Sequence, residues 1–250
     1  RFIADVLLRF GCGRGQNGAL LTLTDATGNP EAQKSLVWRD LEFTVPTQQG
    51  RGILSLVSNK GSDRRQVFHG ASGIAEPGEL LAIMGERKNT KGLKWTGDIN
   101  VNGDVMSDEQ MMRMSAYVQQ VGMFCGNLTV NEHLTFSARL RMNPRYSFKQ
   151  RKNRVKKVME DMGLVDCQHT KIALRFGKSL SMGEMKRLSF ASEVLTDPPI
   201  LFCDEPTFGL DAFMARQVVT ALRRLAKRGK TIVMTSHQPS SQVYDMFDKL

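Results

Sequence analysis

The chain has 250 residues, with 35 Lys+Arg against 25 Asp+Glu and a formal charge of +10. Hydrophobic residues at 41% and charged residues at 24% are the proportions of a folded globular domain, which excludes wholesale disorder. The longest apolar run, Leu80 to Met84, falls far short of the roughly 20 residues a membrane-spanning helix needs, so no segment is expected to cross a bilayer.

Residues 1–34 are rich in Gly, Asn and Thr with weak periodicity and read as a tail or linker, leaving 35–250 as one domain. Phe2–Leu8 is interrupted by Asp5 and lacks a basic lead-in, so it makes a poor signal peptide. Cys12, Cys125, Cys167 and Cys203 have no metal-ligand spacing, which predicts a reduced, cytosolic chain. A start at Arg1 and a stop at Asp248-Lys249-Leu250 lead us to expect a fragment of something longer.

Leu36–Val45 alternates apolar and polar residues from Asp40 onward, as a half-buried strand does. A polar, Gly-containing connection leads to the turn Pro77-Gly78 and a second strand, Leu80–Met84, ending at Gly85. Residues 129–157 read as largely helical, interrupted at Pro144, and Thr129 with Glu132 has the spacing of a capping box. Nine basic residues lie between Arg139 and Lys157 with no acid among them. They read first as a solvated helix face and second as a surface lying near anionic lipid headgroups.

The last third alternates helix and strand. A helix from Ser181 to about Leu195 is broken by Asp197-Pro198-Pro199, and Ile200–Cys203 is a short buried strand reaching Asp204-Glu205. Asp211 can cap a further helix with Val218, Leu222 and Leu225 on one face and Gly229 as its stop. Thr231–Met234 makes the last strand, ending at Ser236-His237. Such spacing implies right-handed crossovers and a mainly parallel sheet.

A carboxylate at the C-terminal end of a parallel strand sits where α/β folds bind ligands. There Asp204 would hold a magnesium ion, usually through water, while Glu205 would orient or deprotonate an attacking water. The competing reading is two acids that merely open a turn before Pro206. His237, at the next strand end, is either a solvated loop histidine or a group reaching the same phosphate. Ser181 and Glu184 have the spacing of a capping box, which is one full reading of them; the functional reading is an anion site at the helix N-terminus, with the Ser181 hydroxyl and the close approach Gly183 allows.

These segments, in this order, resemble the ATP-binding cassette proteins. Leu180–Leu195, Thr196–Asp211 and Thr231–Ser241 look like the signature helix, Walker B with D-loop, and H-loop. Lys186–Glu193, Thr196–Pro199 and His237–Ser241 resemble subfamily G, the white/scarlet half-transporters. Tyr117-Val118-Gln119-Gln120 resembles that family's Q-loop, and Pro77–Ala82 its approach to Walker A. The resemblance implies an α/β fold: a P-loop ATPase core with a mainly parallel sheet, an antiparallel β subdomain and a helical subdomain at about 125–195. It implies ATP and magnesium as cofactors, with Gly85, Lys91, Asp204, Ser181, Gly183 and Asp211 at the nucleotide. Asp204 and Gln120 would serve the metal, and Glu205, His237 and Gln120 the catalysis. It implies a second half-transporter cassette as partner, in a homo- or heterodimer paired head to tail, so that Ser181 and Gly183 serve the other chain's nucleotide. A six-helix membrane domain missing from this chain, a place at the cytosolic face of a membrane, transport of a small molecule and no nucleic-acid partner complete the expectation.

The pattern breaks at the phosphate-binding loop, which needs G-x-x-x-x-G-K-[ST] opening a helix. After Gly85, Lys91 is in register, but Thr90 replaces the second Gly and Gly92 replaces the Ser/Thr. Only Leu93–Thr96 precede the next family-like stretch, Gly97–Gly103, too few residues for the helix that would hold the phosphates. A crippled Walker A is expected, either natural or the result of a defective gene model. Met182 stands for the first signature Gly, Phe208 for the usual D-loop Ser, and Val121-Gly122 for two acids, which point the same way. The alternative class is a soluble, non-transport cassette protein acting on nucleic acid or ribosomes. Trp38 and Phe43 are candidates for stacking on adenine and equally for the core.

Overall fold

The computed structural model describes residues 33–46, 64–84, 94–120, 122–173 and 179–250. The first strand, β1 (Leu36–Pro46), pairs antiparallel on one side with β2 (Arg64–Ala75) and on the other with β4 (Lys94–Val101). Two-residue β5 (Asp104–Val105) completes the order β2-β1-β4-β5. Within β1 the buried residues are Leu36, Trp38, Leu41 and Phe43, so the alternation skips a step. Asp40 (φ 48°) marks the irregularity, and its amide is held by Ser72 Oγ at 3.0 Å. Trp38 and Phe43 are therefore core residues, 6% and 0% exposed, and not a surface for adenine.

The sequence reading took the segment before Pro77 as a connection; β2 corrects it. Gly70 and Gly73 hide this strand from propensity, yet Gly73 is required: a Cβ there would lie 2.4 Å from the Trp38 ring.

The second sheet is built from β3 (Leu80–Met84), β6 (Ser115–Val118), β7 (Ile200–Cys203) and β8 (Thr231–Ser236) in the order β3-β8-β7-β6, each neighbouring pair parallel. Its strands are short and apolar on both faces because both are covered. Leu81, Ile200, Phe202 and Val233 pack toward the antiparallel sheet, and Leu80, Ala82, Leu201, Cys203, Ile232 and Met234 toward the helices.

Six helices follow the described chain: α1 (Asp108–Met114), α2 (Val130–Arg141), α3 (Phe148–Met162), α4 (Met182–Val194), α5 (Ala212–Lys227) and α6 (Ser241–Tyr244). The first four each begin with a complete capping box, including the expected Thr129/Glu132 and Ser181/Glu184 pairs. Asp211 caps α5 by accepting from Met214 N, and Gly229 (φ 88°) follows its end. Pro144 falls in the break between α2 and α3.

The basic run of α2 and α3 is not uniformly solvated. Arg141 forms a bidentate pair with Glu193 of α4, at 2.8 and 2.5 Å. Arg151 donates to the main-chain oxygens of Arg139, Asn143 and Tyr146. Arg154 donates to Val194 O, Leu195 O and Asp197 Oδ1, closing the end of α4. Guanidinium forks reaching carbonyls of another helix are invisible in local sequence.

Candidate functional site

Register brings the functional strand ends together. Val118 stands beside Cys203 and Cys203 beside Met234, so Asp204 and Thr235 emerge level at the carboxyl edge of the parallel sheet. On the far side Met84 stands beside Ser236, one residue before His237. Gly85 and Lys91 lie outside the described residues.

Asp204 and Glu205 are 9% and 8% exposed. Burying two carboxylates is costly unless donors hold them. Thr235 Oγ1 donates to Asp204 Oδ1 at 3.0 Å, and Tyr117 Oη donates to Asp204 Oδ2 at 3.2 Å. The Glu205 amide donates to Thr235 Oγ1 at 2.7 Å, so one threonine fixes both residues. Gln120 Nε2 donates to Glu205 Oε2 at 2.9 Å. Three of the predicted site residues, Gln120, Asp204 and Glu205, thus form one connected cluster.

Glu205 (φ 43°) occupies the left-handed region, and Phe208 N closes a turn onto its carbonyl at 3.1 Å. Gln238 (φ 49°), just after His237, is similarly placed. Left-handed conformations of non-glycine residues persist where surrounding structure enforces them, and they gather at functional sites. Glu205 and His237 line one cleft of ≈ 270 Å³ together with Thr207, Gly209 and Pro239. His237 itself is exposed at the cleft mouth.

Lys186 of α4 is buried, and its Nζ donates to the main-chain oxygen of Gln120. Burial pushes its ammonium below the usual lysine range, and the Asp204 and Glu205 carboxylates pull against that shift. Ser236 Oγ, 1% exposed, has no hydrogen-bond partner among the described residues.

The other predicted residues stand apart from this cluster. Ser181 Oγ is engaged by Glu184, donating to Oε2 at 2.9 Å and accepting from its amide at 3.3 Å. Gly183 is buried, with Met214 of α5 3.4 Å from where a Cβ would sit, and it lets the two helices approach. Met182 between them is 52% exposed. Asp211 spends its Oδ1 on the α5 cap, accepting from Met214 N at 2.8 Å. Within this chain, then, Ser181 and Met182 at the start of α4 are exposed, and neither lines the cleft holding Glu205 and His237.

Tyr117, Thr235 and Lys186 were within recognised motifs, but the sequence offered no role for them. Their only signal is a polar side chain on a buried strand end or helix face, which local pattern cannot pair. The donors present at the edge are hard oxygens: two carboxylates and the Gln120 amide. No cluster of three or more His, Cys, Asp or Glu able to hold a metal exists among the described residues. That set fits magnesium, which binds through one or two carboxylates plus substrate phosphates and keeps several waters. No helix among the described residues is long and apolar enough to cross a membrane.

Comparison with known proteins agrees with this geometry. The family model described as ABC transporter matches residues 68–208. The chain is 45% identical over 233 residues to the ABC transporter ATP-binding protein/permease wht-1 of Caenorhabditis elegans, covering 86% of this chain and 35% of that protein. It is 40% identical to protein white of Drosophila melanogaster, over 85% of this chain and 33% of that protein. It is 39% identical to the same fly's protein scarlet, over 88% of this chain and 36% of that one. The chain therefore spans about a third of the length of these relatives. Matched over more than half its length by the family model and over most of it by white- and scarlet-type relatives, the chain belongs to the ABC transporter family.

Proposed function

We propose that this chain is the ATP-binding and ATP-hydrolysing cassette of a subfamily G transporter that moves a small molecule across a membrane. The observation that carries the reading is the carboxylate edge, where Glu205 accepts from Gln120 Nε2 at 2.9 Å beside an Asp204 clamped by Thr235 and Tyr117. Magnesium, held by Asp204 through water and by the amide oxygen of Gln120, would supply neutralising charge at the phosphates of ATP. With nucleotide held in place, Glu205 would take the proton of an attacking water, with Gln120 and the enforced turn fixing its carboxylate. His237, at the mouth of the same cleft, donates to a phosphate oxygen. Ser236 Oγ is a second donor awaiting a partner at that edge.

The loop sequence after β3 limits what this edge does alone. Thr90 and Gly92 stand where the phosphate-binding Gly and the magnesium-binding Ser/Thr belong. We assign the chain to a pair of cassettes in which its own nucleotide is poorly held. The end of α4, with Ser181 and Gly183, serves the partner's nucleotide. The partner is a second half-transporter cassette, and the pair works at the cytosolic face beneath a membrane domain. Relatives that are themselves named transporters weigh against the soluble, nucleic-acid-binding alternative.

The test is ATP hydrolysis by this chain alone and mixed with a white-type cassette carrying an intact phosphate-binding loop. We expect no turnover above background alone and recovered turnover in the mixture. Ser181→Ala in this chain should lower the recovered rate about tenfold or more, as loss of an electrostatic donor does, while Glu205→Gln in this chain leaves it unchanged. Abolition by Glu205→Gln would show that this chain's own site turns over. Indifference to Ser181→Ala would remove the donor role of α4.

A further inference from the structure

Helix α4 meets the segment after β6 at two points on one face. Lys186 Nζ donates to the main-chain oxygen of Gln120. One turn later Gly122 lies so close to α4 that a Cβ on it would fall 2.4 Å from Ser189 Oγ. Residues at i and i+3 share a helix face, so both contacts come from a single stripe of α4. The same stripe continues to Ser192, whose Oγ is 3.0 Å from the His133 ring nitrogen of α2. Gln120 in turn holds Glu205 through its side chain. Lys186 is buried on a helix that begins with exposed Ser181 and Met182, and its amine reaches the main-chain oxygen of Gln120.

We propose that Lys186 is a positioning residue, tying helix α4 to the main chain of Gln120 so that the Ser181 end of the helix and the Gln120–Glu205 pair are held as one unit. Lys186 contacts neither nucleotide nor metal in this scheme. It acts through the main chain of Gln120 on one side and through the orientation of α4 on the other. The tie lies five residues, less than one and a half turns, beyond Ser181. A shift of α4 on the sheet edge is therefore felt at both places: at the Ser181 end that serves a partner's nucleotide, and at the amide that holds Glu205. The proposal deepens the reading of the chain as a cassette and rests on it for its functional half; the tie itself stands on geometry alone.

The experiment uses the full chain in two arms. Lys186→Met keeps the aliphatic stem and removes the donor. Lys186→Arg restores a donor. The first arm is amide hydrogen exchange without nucleotide or partner. In Lys186→Met, amides of 115–120, 122–126 and 204–208 should exchange about tenfold faster, the loss expected for a hydrogen bond made by a charged donor. Exchange across α3 and β8 should be unchanged, and Lys186→Arg should recover part of the protection. Unchanged exchange around Gln120, or equal loss throughout the chain, overturns the tie. The second arm is ATP hydrolysis in the mixture with an intact cassette, where Lys186→Met should lower kcat about tenfold and leave KM within a factor of two. Faster exchange with an unchanged kcat reduces Lys186 to a structural contact and overturns the positioning role. If the wild-type mixture itself is inactive, the cassette reading has failed, and the positioning role goes with it. The exchange arm then still decides whether the tie exists.

Discussion

Replacing Arg154 by Met should destabilise the chain far more than replacing its exposed neighbour Lys152, although both belong to the same basic run on α3. Arg154 Nη2 lies 2.6 Å from Val194 O and 2.9 Å from Asp197 Oδ1, and its Nε lies 3.3 Å from Leu195 O. Val194 and Leu195 carry carbonyls at the end of α4, where no intrahelical donor remains. Hydrogen bonds to a charged donor contribute about 1.5–3 kcal/mol each. The loss is reduced because Lys230 Nζ stays 2.9 Å from Asp197 Oδ1, so the carboxylate is not stranded. Counting the two shorter bonds and discounting the shared carboxylate leaves about 2–3 kcal/mol. At about 2–4 °C per kcal/mol for a chain of this size, the midpoint of thermal unfolding should drop by about 5–10 °C. Lys152→Met, on an exposed site, should stay within about 0.5 kcal/mol of the parent. Calorimetry or circular dichroism melts of both variants in one buffer make the comparison. Equal, small shifts would return the whole run to a solvated face and refute the capping role of its arginines.

Two further outcomes follow from the packing. Burial, with Arg141 as the second cause, holds the His133 imidazole below its usual range, so the folded chain keeps it neutral against Ser192. The unfolded chain takes up that proton as pH falls below about 6.5 and the folded chain does not, so stability should decline from there downward. His133→Gln should flatten the slope of the denaturant midpoint between about pH 7.5 and 5.5, and an unaltered slope would place the titrating group elsewhere. Gly97 (φ 116°) leaves only 2.7 Å between a built Cβ and the main-chain oxygens of Arg39 and Asp40. Gly97→Ala should cost about 2 kcal/mol or more. Gly78→Ala, at φ 93° with nothing within 4 Å, carries the backbone strain without the clash and should cost clearly less in the same melts. Similar costs would mean that contact with β1 is not what selects glycine at Gly97.

What could be read before the structure was whatever a short window contains. A capping box spans four residues, so Thr129/Glu132 and Ser181/Glu184 were legible, as were the strand ends carrying Asp204-Glu205 and His237. The interactions that make these residues a site were not. Thr235 bonds Asp204 only because β7 and β8 pair in one register, and Tyr117 reaches the same carboxylate from a strand 87 positions away. Strand β2 was missed because its stability lies in pairing with β1 and in the room Gly73 leaves for Trp38, neither of which is a property of its own residues. Arg154 of α3 was read as surface for the same reason: the carbonyls it caps lie at the end of α4, some 40 positions on. The family resemblance pointed to Gln120, Glu205 and His237 but not to what holds them.

On the proposed function, the two halves of the nucleotide site rest on different parts of the chain, so that one can degrade while the other keeps its form. The carboxylate edge is set by the register of β6, β7 and β8, and that register is held by the buried side chains of Leu201, Phe202, Ile232 and Val233 on both faces of the sheet. Those contacts are made between described strands, and the phosphate-binding pattern breaks elsewhere in the sequence, at Thr90 and Gly92. On the proposed function, substitutions at Thr90 and Gly92 act on phosphate binding, while the Thr235–Asp204 and Gln120–Glu205 bonds are set by the described strand ends. The placement of α4 has its own anchors: Lys186 ties it to Gln120, Arg141 of α2 pairs with its Glu193, and Arg154 of α3 caps its end. A chain with a poor phosphate loop therefore still folds its carboxylate edge and still presents the Ser181 end of α4. This is the physical condition for a cassette that contributes to a partner's site while doing little at its own.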